Sequence, residues 1–376
     1  MNYLQKKKLA FMSIVNQIKG FVRTVTGIPP LTLPDCVDED SIINYTIDGN
    51  SIQDGTPTPE NPVEVESVGE KTKNLIGVKP VSRTINGATF TVNENGSITL
   101  NGTTTSQALY HFNPSYNETL RSVSVTANKS YTLSRGVELP TGVYFMTYYR
   151  DSSGAYTYVN SPKTFTPTED VDIAFYIRWD AGITMDNVTI YPQLEEGSTA
   201  TDYEPYGKYK IPIICSDGKG KSVTTNIYLD EPLRKVGSYT DSIDFQNQKI
   251  IRKVGVEEFD ENTAASNYKF ESVGFYGFFR TIKTMKSGTR QYGFCTYLQN
   301  LRKESSPIWF GVGNQAVYFS LPDVYNLGSN NEERKQALRD WFASLEEPFM
   351  VYYPLAEETE TPISLPKLPT FKGTTI

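Results

Sequence analysis

The chain has 376 residues, enough for two or three domains that each bury a core. Its formal net charge of −7 argues against a nucleic-acid-binding surface that spans the protein, so no nucleic-acid partner is expected. The 25 Tyr and 19 Phe, together with only 21% charged residues, are typical of twisted sheets joined by polar turns.

The cysteines and the apolar runs exclude several further classes of protein. Cys36, Cys215 and Cys295 are widely spaced and odd in number, so neither a disulfide framework nor a zinc site can be built from them. We expect isolated thiols that behave as small hydrophobic residues. No apolar run approaches the roughly 20 residues of a membrane span. The sequence therefore predicts no membrane insertion, and a chain that is soluble or assembled into a soluble particle.

Residues 1–35 are predicted to form an N-terminal assembly segment. Apolar residues recur at helical spacing across 4–26, basic residues fill the other positions, and prolines follow. A lone apolar stripe must be buried against something, and another subunit is the predicted partner. A signal peptide and a helix lying on a membrane surface remain alternatives. The predicted oligomerisation residues are Phe11, Ile14, Val15, Ile18, Phe21 and Val22.

Residues 36–73 are predicted to be a proline-braced β linker. Ile43, Tyr45 and Ile47 alternate with polar residues, as a half-buried strand requires. The run Thr56-Pro57-Thr58-Pro59 is stiff and extended.

Residues 74–207 are predicted to form one β-sandwich of the jelly-roll type. Short apolar segments alternate with turn signals, and no helical pattern lies between them. Pro192 suits an edge strand or a bulge near the end of this domain. The predicted strands are Ala88–Val92, Ser97–Asn101, Val123–Val125, Ser130–Ser134, Gly142–Tyr149, Ala155–Val159, Lys163–Thr166, Val171–Arg178 and Val188–Tyr191.

Residues 208–376 are predicted to form a second β-sandwich that contains one amphipathic helix at 331–345. Asn330 or Asn331 is the expected N-cap, with acidic residues in the first turn. The apolar face of the helix consists of Leu338, Trp341, Phe342 and Leu345. The predicted fold class is thus mainly β, with an N-terminal helix followed by two sandwich domains.

Several phrases resemble segments of known phage proteins. Y-P-x-L-E-x-G-S-x-A-T-x-Y-E-P-Y at 191–206 is similar to the end of a lectin-like jelly-roll module, and N-E-N-G-S-I-T-L-N-G-T at 93–103 is similar to the opening of such modules. G-x-S-x-Q-D-G-T-P-T-P-x-N-P at 49–62 and L-x-E-P-L-R-x-V-G-x-Y-x-D-x-I-D at 229–244 resemble segments of phage minor structural proteins. The family is that of tail, baseplate and fibre proteins from phages and prophages of Gram-positive bacteria.

This resemblance implies a non-enzymatic virion component that is assembled in the bacterial host cytoplasm. The implied partners are other tail or baseplate subunits and a host cell-surface glycan. A homo-oligomer is expected, and a trimer is among the expected arrangements. Two alternatives stay open, a glycan-degrading tail hydrolase and a bacterial carbohydrate-binding adhesin.

The residue pattern offers little catalytic chemistry. The single histidine, His111, has no Ser or Cys with Asp nearby that would make it part of a triad. Paired carboxylates such as Glu195 and Glu196 have the chemistry of a glycosidase, but acidic pairs at turns are usually solvated. No cofactor is expected, although a structural calcium ion near Asp170, Asp172 and Asp186 stays open.

Aromatic residues are concentrated in the predicted strands between 144 and 179. They are Tyr144, Phe145, Tyr148, Tyr149, Tyr156, Tyr158, Tyr176 and Trp179. About half of them are expected to face the core, and the exposed ones suit a sugar, whose apolar face packs on a ring.

The predicted carbohydrate site is Trp179 with Tyr148, Tyr149 and Arg178. Trp179 follows a predicted strand and precedes a turn, so its ring is predicted to lie at a rim. Strand alternation separates Arg178 from Trp179, so only the turn would bring both to one side. Burial of these rings in an aromatic core is the alternative.

Overall fold

Strands dominate the computed structural model of the chain, which describes residues 31–33, 46–53, 55–112, 123–216, 222–263, 269–271, 277–287, 293–298, 309–313 and 315–366. The mainly β fold class predicted from the sequence is confirmed. The predicted N-terminal helix lies outside the described residues, as do its six oligomerisation residues, Phe11, Ile14, Val15, Ile18, Phe21 and Val22.

The strands, in chain order, are β1 (Leu31–Leu33), β2 (Thr46–Asp48), β3 (Ser51–Gln53), β4 (Val65–Ser67), β5 (Glu70–Lys71), β6 (Val81–Ile85), β7 (Ala88–Val92), β8 (Ile98–Thr103), β9 (Ala108–His111), β10 (Val123–Val125), β11 (Tyr131–Ser134), β12 (Val143–Arg150), β13 (Tyr156–Asn160), β14 (Lys163–Phe165), β15 (Val171–Trp179), β16 (Thr184–Ile190) and β17 (Gln193–Glu196). They continue with β18 (Tyr209–Ser216), β19 (Ser222–Leu229), β20 (Lys235–Val236), β21 (Tyr239–Thr240), β22 (Ser242–Asp244), β23 (Lys249–Phe259), β24 (Lys269–Glu271), β25 (Gly277–Thr281), β26 (Phe294–Cys295), β27 (Trp309–Gly313), β28 (Ala316–Ser320) and β29 (Phe349–Pro362). The helices are α1 (Pro322–Tyr325) and α2 (Asn331–Ala343), and no helix in these described ranges is long and apolar enough to cross a membrane.

The chain divides into two compact units. One comprises Lys71–Lys210 with Tyr228–Asp230, and we call it the inserted unit because residues on both sides of it belong to the other unit. The other, the flanking unit, contains the remaining described residues.

The inserted unit has three antiparallel sheets around one aromatic core. In one sheet, β15 lies between β12 and the strands β9 and β10, and β13 forms the edge beyond β12. The other two sheets are β16-β8-β7-β6 and β14-β11-β17. Phe90 of β7 meets Trp179 of β15 edge-on, with ring centroids 5.8 Å apart, and stacks on Tyr110 of β9 at 5.0 Å. Burial of such rings stabilises this unit.

Strict alternation along β15 and β12 separates the core from the outer face. Val171, Ile173, Phe175, Ile177 and Trp179 of β15 are all buried. The intervening positions point away from the core, as the two-residue period of a strand requires.

A buried polar network closes the inserted unit at its C-terminal end. The carboxylate of Glu195 accepts hydrogen bonds from the Thr201 backbone N–H at 2.8 Å and from its hydroxyl at 2.7 Å. The Gln193 side chain donates to Glu195 at 2.9 Å and accepts from the Glu204 N–H at 2.8 Å. The buried Asn74 side chain donates to the carbonyl oxygens of Pro192 and Glu204 at 3.0 and 3.1 Å. These contacts explain why polar residues occupy buried positions here.

The two ends of the inserted unit are joined by hydrogen bonds. The Thr72 backbone N–H donates to the Lys208 carbonyl oxygen at 2.9 Å. The Lys208 N–H donates to the Thr72 hydroxyl oxygen at 3.1 Å. The chain therefore enters and leaves the unit at adjacent positions.

The flanking unit contains the sheets β2-β22-β23-β29-β26 and β24-β25-β28-β27. The predicted helix at 331–345 is present as α2, and the Asn330 side chain caps it by accepting from the N–H groups of Glu332 and Glu333. Leu338 and Phe342 are buried in a core with Phe259 and Phe349. The predicted apolar face of the helix is thus the packed face.

Asp241, which belongs to the motif at 229–244, is fully buried and has a structural role. Its carboxylate accepts from the N–H groups of Arg234, Lys253 and Val254 at 3.1, 2.8 and 3.0 Å. It also lies 3.1 Å from the Arg252 guanidinium. A buried carboxylate satisfied in this way fixes the turn against β23.

Cys295 is a free buried thiol, as expected for an isolated cysteine. Burial raises the pKa of this thiol to about 12. Such a group remains protonated and unreactive at neutral pH.

Candidate functional site

Among the described residues of the inserted unit, the outer face of the sheet β9-β15-β12-β13 carries two of the three aromatic side chains that are more than half exposed. We call it the aromatic face and define it by Leu109, His111, Tyr144, Met146, Tyr148, Tyr156, Tyr158 and Tyr176. Cross-strand register places them together, because Tyr148 lies opposite Tyr158 and Tyr176 lies opposite both Met146 and His111. Residues that are opposite one another in a ladder point to the same side of the sheet.

The rings of this face form a continuous cluster. The Tyr148 ring lies 6.3 Å from Tyr156, 6.0 Å from Tyr158 and 5.7 Å from Tyr176, measured between centroids. His111 stacks on Tyr176 at 5.5 Å. The Tyr176 hydroxyl is 3.3 Å from the Met146 sulfur. The cluster presents neighbouring ring surfaces at separations typical of aromatic pairs.

The cluster is most exposed at the edge strand β13. Tyr156 and Tyr158 are 56% and 57% exposed, and Leu109 at the other side of the sheet is 42% exposed. Tyr148, Tyr176 and His111 are half-buried between them. Large apolar side chains that are exposed next to one another indicate a candidate interaction site.

Two arginines lie beside the rings. The Arg150 guanidinium lies 5.7 Å from the Tyr156 ring centroid, and its Nε donates to the Gly154 carbonyl oxygen at 3.1 Å. The Arg178 guanidinium lies 5.4 Å from the Tyr144 ring centroid. Both contacts have cation–π geometry.

Arg178 is held in place by Asp180. Its Nε and Nη2 donate to the two carboxylate oxygens at 2.8 and 3.2 Å. Hydrogen bonds from Arg178 and then from Gln107 lower the pKa of Asp180, so the carboxylate stays ionised. This bidentate pair fixes an oriented donor group at one side of the face.

Burial changes the titration of two members of the cluster. It raises the pKa of Tyr176 and lowers the pKa of His111. Both groups are therefore uncharged at neutral pH.

The predicted position of Trp179 is wrong. Its side chain is fully buried, with 0% exposure, and Nε1 donates to the Ile183 carbonyl oxygen at 3.1 Å. The strand β15 continues through Trp179, which places the ring in phase with Phe175 and Ile177 rather than in the turn. Trp179 belongs to the core.

The other predicted site residues are divided between the two sides of the sheet. Tyr148 and Arg178 lie on the outer face. Tyr149 packs against the core and stacks on Phe165 with centroids 6.2 Å apart, so its predicted place in the site is also wrong. The site gains Tyr156, Tyr158 and Tyr176, which strand alternation places in phase with Tyr148.

The acidic candidates do not converge. Glu195 is buried in the network described above, whereas Glu196 is exposed and pairs with Lys129 at 3.0 Å. Adjacent strand residues point to opposite faces, so this pair does not form a two-carboxylate site.

The residues considered for calcium have separate partners. Asp170 accepts from the Ala127 N–H at 2.7 Å, Asp172 from the Ser124 hydroxyl at 2.6 Å, and Asp186 from the Asn187 side chain at 3.0 Å. Among the described residues there is no group of three or more His, Cys, Asp or Glu side chains that could hold a metal ion.

The opposite outer surface of the inserted unit, on β16-β8-β7-β6, carries hydroxyl groups instead of rings. We call it the hydroxyl face and define it by Ser82, Thr84, Thr89, Thr91, Thr99, Thr103, Thr184 and Thr189. Cross-strand hydroxyl pairs lie at 3.1 Å (Ser82 and Thr91), 2.9 Å (Thr84 and Thr89), 3.0 Å (Thr99 and Thr189) and 2.8 Å (Thr103 and Thr184).

Comparison with known proteins gives little further information. No protein-family model and no curated protein matches the chain. A crystal structure of accessory secretory proteins 1, 2 and 3 of Streptococcus pneumoniae aligns with 16% identity and a TM-score of 0.25. The alignment covers 34% of this chain and 97% of that one. A likeness this low carries no argument about this protein.

Proposed function

We propose that this protein is a structural component of the tail, baseplate or fibre of a phage or prophage of Gram-positive bacteria. In this role the inserted unit is a jelly-roll module that attaches the virion to a glycan of the host surface. The four phrases at 49–62, 93–103, 191–206 and 229–244 support the tail assignment through their resemblance to such proteins. The antiparallel sheets of the inserted unit, which share one core, suit a jelly roll.

The aromatic face carries the binding part of this proposal. Tyr148, Tyr156, Tyr158 and Tyr176 offer adjoining rings at the surface, with oriented arginines beside them. A pyranose packs its C–H surface on such a ring, and its hydroxyl groups bind polar side chains at the border.

The role is proposed to be binding without catalysis. The Glu195 carboxylate is occupied by Gln193 and Thr201, and its neighbour Glu196 points away from it. Release of reducing ends from a wall polysaccharide by the purified chain, abolished by one carboxylate substitution, would contradict this part of the proposal.

Binding is tested on a panel of purified wall polysaccharides from Gram-positive bacteria, immobilised and exposed to the full chain. We expect at least one polysaccharide to retain the protein, and Tyr156→Ala with Tyr158→Ala to lower the affinity by about tenfold or more. Tyr206→Ala is the matched control, because Tyr206 is 55% exposed in the same unit but lies outside the aromatic face. Retention by no member of the panel, or equal loss in the control, would overturn the proposal.

Assembly is proposed to occur through the N-terminal segment, which forms a homo-oligomer with other tail subunits as further partners. The support is the apolar stripe of Phe11, Ile14, Val15, Ile18, Phe21 and Val22 in the sequence. Deletion of residues 1–28 is expected to lower the mass measured by light scattering while the β units stay folded. An unchanged mass would contradict this role.

A further inference from the structure

The rings of the aromatic face are arranged in a row that crosses the strands. Tyr158 of β13, Tyr148 of β12, Tyr176 of β15 and His111 of β9 come from four neighbouring strands. Consecutive ring centroids are 6.0, 5.7 and 5.5 Å apart. We call these four residues the ring row.

The regular spacing of the row follows from the sheet. Neighbouring strands lie about 4.8 Å apart, so the directly paired rings of Tyr158 and Tyr148, and of Tyr176 and His111, repeat at a similar distance. Tyr148 and Tyr176 are diagonal neighbours, because Tyr148 is paired with Ala174. A single ring holds one sugar unit, whereas four rings from successive strands, with Tyr148 and Tyr176 edge to face, offer a repeated aromatic surface across the sheet. Such a surface suits a chain of similar units better than one compact sugar.

The ring row carries no charge at neutral pH. Its members are three tyrosines and one histidine, and burial lowers the pKa of that histidine. A polyanionic chain lying along the row would therefore meet no cation directly beneath it.

The charged residues beside the row are balanced. On one side Arg178 is paired with Asp180 at 2.8 Å. On the other side are Arg150, two residues after Tyr148 in β12, and Asp172, two residues before Ala174 in β15. Tyr148 and Ala174 are cross-strand partners, so Arg150 and Asp172 lie at the same end of the sheet. Among the described residues, each side thus has one of these arginines and one of these aspartates, and the four groups together carry no surplus of positive charge.

We propose, resting on the function proposed above, that the aromatic face binds an uncharged, extended oligosaccharide that runs across the strands with one sugar unit on each ring of the row. The arginines at the two sides then bind hydroxyl or acetamido oxygens as hydrogen-bond donors. A phosphate-rich wall polymer is not the ligand of this face.

The first test compares neutral and phosphate-containing wall polysaccharides on the full chain at two salt concentrations. We expect neutral polysaccharides to bind, with affinity changing by less than about twofold between about 0.05 and 0.5 M sodium chloride. Binding of phosphate-containing polymers alone, lost at the higher salt concentration, would overturn this inference and leave glycan binding intact. Binding of no polysaccharide would instead overturn the proposed function itself.

The second test measures chain length. Oligosaccharides of one to six units, prepared by partial hydrolysis of the neutral polysaccharide that binds best, are titrated into the full chain. Affinity is expected to rise by about threefold to tenfold with each unit up to four and then to level off, because each unit adds one ring contact. A disaccharide that binds as tightly as a hexasaccharide would overturn the inference.

A variant at the end of the row sharpens this test. Tyr158→Ala removes the ring at the edge strand, so the affinity should level off at three units instead of four. Tyr206→Ala, with similar exposure outside the row, should keep the original profile. An unchanged profile in Tyr158→Ala would show that the ligand does not follow the row.

Discussion

The two outer faces of the inserted unit differ although both are built from alternating β-strands. On the aromatic face, neighbouring tyrosine rings are tilted or stacked, with centroids 6.0 and 6.4 Å apart, and Tyr156 and Tyr158 are more than half exposed. On the hydroxyl face, threonines are paired across the strands by hydrogen bonds of 2.8 to 3.0 Å.

The comparison shows how one fold presents two outer faces of different chemistry. Threonine suits a strand, its hydroxyl is satisfied by its neighbour, and the resulting surface has few groups that attract a ligand. Exposed tyrosines leave apolar area in water, an arrangement that favours a partner able to cover it. The core between the two faces holds the unit together.

The largest expected effect comes from the residue that lies between the faces. Trp179→Ala is expected to lower the free energy of unfolding of the inserted unit by about 3–5 kcal/mol, because it leaves a cavity against Phe90 and the Ile183 carbonyl oxygen without its donor. Urea unfolding monitored by near-ultraviolet circular dichroism measures it. A loss below about 1 kcal/mol, as expected for the exposed Tyr206→Ala, would place Trp179 outside the core.

The second effect concerns affinity rather than stability. The double variant Tyr156→Ala, Tyr158→Ala should weaken glycan binding about tenfold or more and change the free energy of unfolding by less than about 1 kcal/mol. Both rings are more than half exposed, so little packing is lost. Titration calorimetry and urea unfolding on the same sample separate the two readouts. A large loss of stability with unchanged affinity would show that the two tyrosines stabilise the fold and do not bind the glycan.

A smaller effect is expected on the hydroxyl face. The double variant Thr84→Ala, Thr89→Ala removes one exposed hydroxyl pair that lies at 2.9 Å. We expect the free energy of unfolding to fall by less than about 1 kcal/mol and the glycan affinity to change by less than about twofold. Loss of glycan binding in this variant would show that the glycan binds to the hydroxyl face and not to the aromatic face.

The smallest effect follows from His111. Burial lowers its pKa from the ordinary value of 6.5, so the folded protein binds its proton less readily than the unfolded chain does. The neutral imidazole therefore contributes to the free energy of unfolding. This contribution is fully present above pH 6.5 and is lost as the pH falls through the lowered pKa of the folded protein. Stability should therefore decrease from pH 7 to pH 5 more in the native chain than in His111→Gln.

Nuclear magnetic resonance gives a direct check on that prediction, because His111 is the single histidine of the chain. Its imidazole signal should titrate below pH 6.5. A midpoint at or above pH 6.5 would contradict the burial of this ring.

Local sequence patterns predicted most strands and the helix well. Ala88–Val92 and Val123–Val125 have the predicted bounds, and α2 begins at Asn331 with Asn330 as its cap. Strand β9 was not predicted, because Ala108–His111 is short and follows a polar run. The start of β16 was missed for a similar reason, since Thr184–Asn187 lacks apolar alternation.

The candidate site was predicted only in part, and the reason is the phase of one strand. The predicted strand ended at Arg178 and left Trp179 in the turn, where alternation does not determine the direction of a side chain. The alternating apolar residues from Val171 to Ile177 point to the core, and the strand continues through Trp179, so its side chain points to the core as well. Cross-strand register was the missing information. Tyr158 joins Tyr148 because their strands pair at those residues, and no local pattern in the sequence predicts that pairing.

The hydrogen bonds between Thr72 and Lys208 have an evolutionary consequence. A module whose two ends meet can be exchanged as a cassette, provided that its replacement has the same short spacing between its own ends and a surface that packs against Tyr228–Asp230, which belong to the same unit. Its buried closing network, with Asn74 near one end and Glu204 near the other, is carried within the exchanged piece. Under the function proposed above, recombination at these two points would give the same flanking scaffold a different receptor specificity in a single event.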